Sequence, residues 1–229
     1  MAKKAKNRKE LLKKPDEFLT FSGKLLATII KYKVYAVSGL ILLLAVVMLI
    51  SGINYMGNRA ENQAFVLLEK GMADYDRILA DDGPEKAYQV AKNQFQPLFE
   101  EYAQKDAGRL ARIVYAGMAY DAGDFDTAIT LYQGALDDIG AYPGLKPFIL
   151  GGLGRTYLAQ KAYASAARQF ETIIQGSDPV LKEDAYLNLG LIYDRMGKTE
   201  KRSEILSRFI AEYPDSTFVG MVKEKLANS

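Results

Sequence analysis

The chain has 229 residues, with 30 lysines and arginines, 28 aspartates and glutamates, and no histidine, cysteine or tryptophan. These absences exclude a cysteine nucleophile, a disulfide framework, a Cys/His zinc site and an imidazole base. The net charge of +2 is uneven: residues 1–33 hold ten basic and three acidic residues, and the rest holds 20 basic and 25 acidic ones. A basic tail on a mildly acidic body is not typical of a nucleic-acid-binding protein, so no nucleic acid partner is expected.

Residues 1–33 form a basic leader that begins with a lysine-rich run over residues 1–14. We interpret this run as a disordered tail attracted to anionic lipid, and an RNA or ribosome contact is the alternative. Apolar residues between Phe18 and Ile30 recur at helical spacing. This spacing predicts a short interfacial helix before the next segment.

Residues 34–55 are predicted to cross a lipid bilayer. No charged residue lies between Lys33 and Arg59, and about twenty helical residues span roughly 30 Å, the thickness of the hydrocarbon core. A buried helix of a soluble domain is one alternative, but the apolar run is too long and too uniform for it. A cleavable signal peptide is the other, but its apolar stretch would be shorter and would end at a small-residue cleavage site.

The orientation of this span follows from the distribution of lysine and arginine. Residues 14–33 contain four lysines, whereas residues 54–73 contain only Arg59 and Lys70. Because positive charge is retained in the cytoplasm, we expect a cytoplasmic N-terminus and a translocated body.

Three segments of the body align with one another, and the three-to-four-residue spacing of their apolar residues predicts helices throughout. They begin at Tyr115, Leu153 and Leu189, which gives periods of 38 and 36 residues. Here the chain resembles the tetratricopeptide-repeat family, in which small residues let two antiparallel helices approach closely and aromatic residues fill the gap between neighbouring hairpins. The residues that carry the resemblance are Gly123, Phe125, Ala128, Tyr132, Ala135, Leu153, Gly154, Tyr157, Tyr163, Ala166, Phe170, Leu189, Gly190, Tyr193, Gly197 and Pro214.

The resemblance implies an all-α fold in which the transmembrane helix precedes a TPR-like α-solenoid of helical hairpins. Residues 56–107 are predicted to form a degenerate leading hairpin, broken by the Asp-Asp-Gly-Pro sequence at 81–84. Residues 108–229 are predicted to form three TPR-like repeats and a C-terminal capping helix with Asp215 or Ser216 as its N-cap.

Two residues are expected to disturb the regular helical structure. Pro97 is expected to kink or split the second helix of the leading hairpin near Gln96. Arg202 stands where the third repeat should have a small alanine, so we expect that hairpin to be looser or to face solvent there.

In this family the first helices line an extended concave face that binds peptides or partner helices. The chain's own side chains there suit an extended or helical partner of moderate hydrophobicity, although any of them could instead pack against a neighbouring hairpin. Mapping the inward-facing positions gives a candidate peptide groove of Tyr120, Phe148, Arg155, Leu158, Leu187, Leu191 and Asp194.

No enzyme, cofactor, metal or small-molecule substrate is predicted. The adjacent pairs Glu100–Glu101 and Asp137–Asp138 point to different sides of a helix and cannot converge on a substrate. The glycines at 151, 152 and 154 lie within a predicted helix, where they indicate close packing and not a phosphate loop. A cofactor-free hydrolase is kept only as a distant alternative.

The complete layout, together with residues 16–26 before the span, resembles the YfgM-type single-span proteins of the bacterial inner membrane. That resemblance implies a periplasmic adaptor that assists the Sec translocon and hands secreted chains to periplasmic chaperones. An envelope-assembly or cell-division scaffold with the same architecture is the alternative.

Overall fold

The computed structural model describes residues 33–138 and 142–227, which form helices and turns without a β-strand. The predicted all-α class is confirmed, and the predicted interfacial helix of the leader lies outside the described residues. The α-helices are α1 (Lys33–Asp82), α2 (Pro84–Glu100), α3 (Asp106–Asp121), α4 (Phe125–Asp137), α5 (Lys146–Ala159), α6 (Tyr163–Gln175), α7 (Lys182–Arg195), α8 (Thr199–Glu212) and α9 (Val219–Ala227).

The first part of α1 is apolar on all its sides. Every side chain from Ile41 to Met56 is exposed, so none of them is buried in a protein core. Among the described helices, this one is long and apolar enough to cross a membrane. The predicted boundary between residues 55 and 56 lies inside α1, because Gly52 and Gly57 do not interrupt the helix. The chain divides into two compact units, and the division in the sequence falls between Asn58 and Arg59.

The second unit is a row of antiparallel helical hairpins. The end of α1 pairs with α2, then α3 with α4, α5 with α6, and α7 with α8, while α9 packs on α8. The central helix α5 contributes Ile149 and Leu153 to one apolar cluster and Leu150 to the next. It is therefore buried on two sides, as expected for an inner element of a stack of repeats.

The leading hairpin turns at the predicted place. Gly83 has φ of 86°, a value that glycine adopts without strain, and Pro84 occupies the first turn of α2. Of the two predicted effects of Pro97, a kink or a split of α2 near Gln96, the split is wrong, because the helix continues to Glu100. Pro97 lies in the last turn of α2, where it cannot donate a backbone hydrogen bond.

The turns inside the three repeats share one geometry. In each turn, two backbone N–H groups donate to carbonyls three and five residues earlier, the pattern of a Schellman motif. Thus Gly123 N lies 3.0 Å from Tyr120 O, and Asp124 N lies 2.8 Å from Ala119 O. The motif requires a positive φ at its centre, which is 79° at Gly123, 67° at Gly197 and 61° at Lys161. The second repeat therefore places a lysine where the others have glycine.

We expect Lys161→Gly to raise the free energy of unfolding by about 0.5–1 kcal/mol, because glycine tolerates a positive φ that strains other residues. Gly123→Ala and Gly197→Ala, the matched changes in the other turns, should lower it by about 1 kcal/mol. Urea denaturation measures all three values. A destabilised Lys161→Gly protein would contradict the assignment of strain to this turn.

Close approach of the two helices in a repeat depends on glycine. A Cβ atom added to Gly154 would lie 2.8 Å from Cε2 of Phe170, and one added to Gly190 would lie 2.6 Å from Cδ2 of Leu206. These distances are shorter than van der Waals contact, so the ring and the leucine fill the space that a side chain would need. The predicted close approach of the two helices is therefore present in both hairpins.

A glutamate of α1 caps a helix that lies far away in sequence. The N-cap residue of α3, Lys105, makes no side-chain cap hydrogen bond. Instead, the Glu61 carboxylate accepts hydrogen bonds from the backbone N–H groups of Asp106, at 3.2 Å, and Ala107, at 2.9 Å. The carboxylate satisfies two otherwise free donors and also complements the positive end of the helix dipole.

We expect Glu61→Ala to lower the free energy of unfolding by about 1 kcal/mol, the usual effect of removing a helix cap. Glu61→Gln should lower it by less, since the amide oxygen still accepts a hydrogen bond. Glu69→Ala, an exposed glutamate of the same helix, is the matched control and should change stability by no more than about 0.5 kcal/mol. Thermal unfolding of the three variants checks this, and equal effects of Glu61→Ala and Glu69→Ala would contradict it.

Equivalent tyrosines join neighbouring repeats. Nε2 of Gln133 on α4 donates to the Tyr157 hydroxyl of α5 at 3.0 Å. One repeat later, the Tyr193 hydroxyl of α7 donates to Oε1 of Glu171 on α6 at 2.5 Å. The repeats are thus connected by polar contacts as well as by the apolar core.

Candidate functional site

Three of the seven candidate residues lie together on α7, the first helix of the third repeat. Leu187, Leu191 and Asp194 lie on α7 at intervals of four and three residues, so they share one helix face. They line a groove of about 500 Å³ between α7, α8 and α9, which we call the C-terminal groove. Its wall and floor also include Arg202, Leu206 and Met221.

An ion pair lies at one side of this groove. Nη1 of Arg202 donates to Oδ1 of Asp194 at 2.7 Å, which connects α8 to α7. Only 15% of the Arg202 side chain is exposed, so of the two predicted outcomes, a looser hairpin or one that faces solvent at this residue, the second is wrong. A mostly buried arginine with a charge-assisted hydrogen bond holds the hairpin together where the other repeats have alanine.

The other four candidate residues lie outside the C-terminal groove. Tyr120 is half-buried, and the centre of its ring lies 5.8 Å from that of Phe125. Leu158 is also half-buried and packs against the second apolar cluster. Both side chains therefore contribute to packing between helices, which is the alternative that the sequence left open.

Arg155 and Phe148 are exposed on α5. Burial raises the pKa of the Asp121 carboxyl, and the positive charge of Arg155 opposes that rise. Arg155 and Asp121 therefore form a region of mixed charge where α3 and α5 meet. Phe148 is 48% exposed and offers an apolar surface near the start of α5.

Comparison with known proteins identifies the family of this chain. A family model described as a tetratricopeptide repeat-like domain matches residues 31–226. The chain belongs to this tetratricopeptide repeat-like family. No curated protein sequence matches the chain significantly.

Solved structures support the same fold. One of twelve matching chains holds the nearly identical TPR-like repeats of a candidate kinesin light chain from Podosopora anserina. It is similar to 66% of this chain over 76% of its own length, with 14% sequence identity and a TM-score of 0.53. At this identity the similarity concerns the fold alone.

Sequence reasoning missed the part of this tetratricopeptide repeat-like chain that closes the groove. Helix α9 was predicted only as a cap, yet Met221, Val222 and Lys225 line the groove. Ser216, one of the two predicted cap residues, accepts a hydrogen bond from Phe218 N at 3.1 Å, just before α9 begins. The available signal was Met221, an apolar residue that adjoins Val222 in the predicted capping helix.

One residue of each adjacent acidic pair makes a structural contact. Glu100 accepts a hydrogen bond from Gln96 at 2.8 Å, and Asp138 is paired with Arg112. Within residues 33–138 and 142–227, no group of three acidic side chains is arranged to hold a metal ion.

Proposed function

We propose that this chain is a membrane-tethered adaptor whose repeats lie in the bacterial periplasm and bind proteins. The observation that carries the proposal is the C-terminal groove, an apolar cleft on the first-helix face of a tetratricopeptide repeat-like domain. Domains of this kind bind protein partners through such faces. The candidate residues Tyr120, Phe148, Arg155, Leu158, Leu187, Leu191 and Asp194 are proposed to form the binding face.

The exposed apolar part of α1 supports the tether. Side chains from Ile41 to Ile53 are apolar almost without exception and are not covered by the described protein. In water, so large an apolar surface would be strongly unfavourable, whereas a bilayer would bury it. The lysine excess before the span supports a cytoplasmic N-terminus and a periplasmic repeat domain.

The proposed partners are Sec translocon subunits and periplasmic chaperones, on the basis of the sequence resemblance given above. A tether raises the local concentration of the groove beside membrane proteins, so contacts that are individually weak would be sufficient. The adaptor would then hold secreted chains near the site where they emerge.

Site-specific photocrosslinking in cells tests this proposal. A photoreactive amino acid is placed at Tyr120, Arg155 or Leu191, and captured partners are identified by mass spectrometry. Arg168, exposed on the second helix α6, is the control position. We expect translocon subunits and chaperones at the three test positions and not at Arg168. Capture of division or wall-synthesis proteins instead would favour the scaffold alternative.

The topology needs its own test. Protease added to spheroplasts should degrade the repeat domain, and alkaline carbonate should leave the chain in the membrane. A repeat domain that stays protected, or a chain that carbonate extracts, would overturn the proposed tether.

A further inference from the structure

Beyond the predicted span, one side of α1 is not covered by the rest of the described protein. Leu68 and Tyr75 face the apolar core, whereas the opposite side of the helix is exposed. Val66 lies on that side and is 64% exposed, the largest fraction among the described large apolar side chains after Met56. We call this side the outer face of α1, and its exposed residues are Asn62, Val66, Glu69, Lys70, Ala73, Asp76, Arg77 and Ala80.

The place of this face in the repeat stack follows from a glycine contact that recurs. A Cβ atom added to Gly71 of α1 would lie 2.8 Å from Cε2 of Phe95 on α2. In the second repeat, a Cβ atom added to Gly154 of α5 would lie at the same distance from Cε2 of Phe170 on α6. Gly71 and Gly154 are therefore equivalent residues of two first helices.

This equivalence assigns the outer face to the end of the stack. Val66, Glu69 and Ala73 correspond to Ile149, Gly152 and Thr156 of α5. All three of these α5 residues are buried, and a Cβ atom added to Gly152 would overlap the Tyr132 ring of the preceding repeat. In α5 this side of the helix therefore packs on the repeat before it, and in α1 it is left exposed. The outer face is distinct from the concave face that holds the candidate groove residues.

Charges of opposite sign lie along the two edges of the outer face. Residues seven apart lie on nearly the same side of a helix, so Glu69 and Asp76 form one edge and Lys70 and Arg77 the other. Within residues 33–138 and 142–227, Glu69, Lys70 and Asp76 form no ion pair. The side chains between the edges are small, apolar or uncharged: Asn62, Val66, Ala73 and Ala80.

This charge pattern is complementary to itself in a parallel pair of helices. When a two-fold axis runs parallel to two such helices, the acidic edge of each copy lies opposite the basic edge of the other. Glu69 of one copy then lies beside Lys70 of the other, and Asp76 lies beside Arg77. In an antiparallel pair the acidic edges would meet each other, which is unfavourable. The charges therefore favour parallel pairing.

The proposed tether imposes the same orientation. Two copies that are anchored in one membrane leave it on the same side, and Asn62 follows the predicted end of the span at residue 55 by only about 10 Å of helix. Equivalent residues of the two copies are therefore brought to the same height above the membrane. The charge pattern and the tether thus agree independently on a parallel contact in which equivalent residues meet.

We propose that two copies of this chain pair through the outer faces of their α1 helices, in a parallel contact between equivalent residues that is about 27 Å long. Val66 and Ala73 lie along the centre of the contact, where the small alanine lets the helices approach closely, and ion pairs form at both edges. The proposal rests on the tether of the proposed function and adds a second copy of the chain as a partner.

The absence of cysteine from the chain makes a disulfide test straightforward. Full-length Val66→Cys, Ala73→Cys and Lys92→Cys proteins in isolated membranes are oxidised with copper phenanthroline, and dimers are measured on non-reducing gels. Equivalent cysteines form a disulfide when they lie beside the two-fold axis, so we expect at least about fivefold more dimer at residues 66 and 73 than at residue 92. Lys92 is exposed on α2 and controls for random collision.

Reversal of the charges tests the orientation in the Ala73→Cys protein. Lys70→Glu together with Arg77→Glu makes both edges acidic, and Glu69→Lys together with Asp76→Lys makes both edges basic. Each double change should lower the yield of dimer at least about fivefold, because like charges then meet at both edges. Coexpression of the two proteins with different tags should restore the dimer between them, a rescue that a folding defect would not show.

Four results would overturn the inference: equal yields at residues 66, 73 and 92, no dimer at residues 66 and 73, no rescue on coexpression, or crosslinks at these residues to a different protein. The protease and carbonate experiments are independent of this test. A chain that is anchored and exposed as proposed, but that forms no dimer at residues 66 and 73, would retain the tether and reject only the pairing.

Discussion

A Phe170→Ala variant is expected to lose about 3–5 kcal/mol of unfolding free energy, a large part of the stability of a typical domain. The Phe170 ring is fully buried between the helices of the second repeat, where it fills the space left by Gly154. Its removal takes away apolar burial and leaves a cavity that the helices cannot close completely. Urea denaturation followed by circular dichroism measures the loss.

Phe148→Ala is the matched control for this change. Phe148 lies in the same repeat but is 48% exposed, so its replacement should change stability by no more than about 0.5 kcal/mol. Equal destabilisation of both variants would contradict a central packing role of Phe170 in the second repeat.

Alkaline unfolding between pH 10 and 12 is the second large expected effect. Burial and the nearby Glu212 carboxylate raise the pKa of the Tyr186 hydroxyl to about 12, and burial raises the pKa of Tyr115 and Tyr193 further. Because the folded state holds these protons more tightly than the unfolded state, their stabilising effect is complete below pH 10 and is lost as the pH rises through the folded pKa values. Each such tyrosine contributes a loss of about 1.4 kcal/mol per pH unit.

Paired titrations check this effect. Absorbance of tyrosinate and helical circular dichroism should change together above pH 10, since the buried hydroxyl groups ionise on unfolding. Tyr186→Phe should make the loss of stability with pH less steep by about 1.4 kcal/mol per unit. Ionisation of all tyrosines near pH 10 with unchanged helicity would contradict the buried state of these hydroxyl groups.

Local sequence signals predicted those parts of the fold that short-range geometry determines. The turn at Gly83 was predicted from the Asp-Asp-Gly-Pro sequence, and those at Gly123 and Gly197 from the turn glycine of the repeat pattern. All three glycines have a positive φ, which glycine adopts without strain. Close helix packing at Gly154 was likewise predicted from the small residue of the repeat pattern, whereas its contact with Phe170 was not. The all-helical class was predicted from the three-to-four-residue spacing of the apolar residues.

Contacts between residues distant in sequence could not be predicted. Glu61 caps α3 from 45 residues away, and no local pattern marks it as a capping residue. The Arg202–Asp194 ion pair was missed because a family pattern predicts an alanine and gives no partner for an arginine. For the same reason, only three of the seven candidate groove residues meet in the C-terminal groove, while Tyr120 and Leu158 serve packing.

The short last helix has a thermodynamic consequence for binding. Of the nine residues of α9, only Val222 is buried, whereas α6 buries five residues. Detachment of α9 from the repeats is therefore the least costly opening of the described domain, and it removes Met221 from the groove. A ligand that contacts Met221 binds only the form in which α9 is packed on the repeats. Binding of such a ligand in the groove therefore slows hydrogen exchange of the α9 amides.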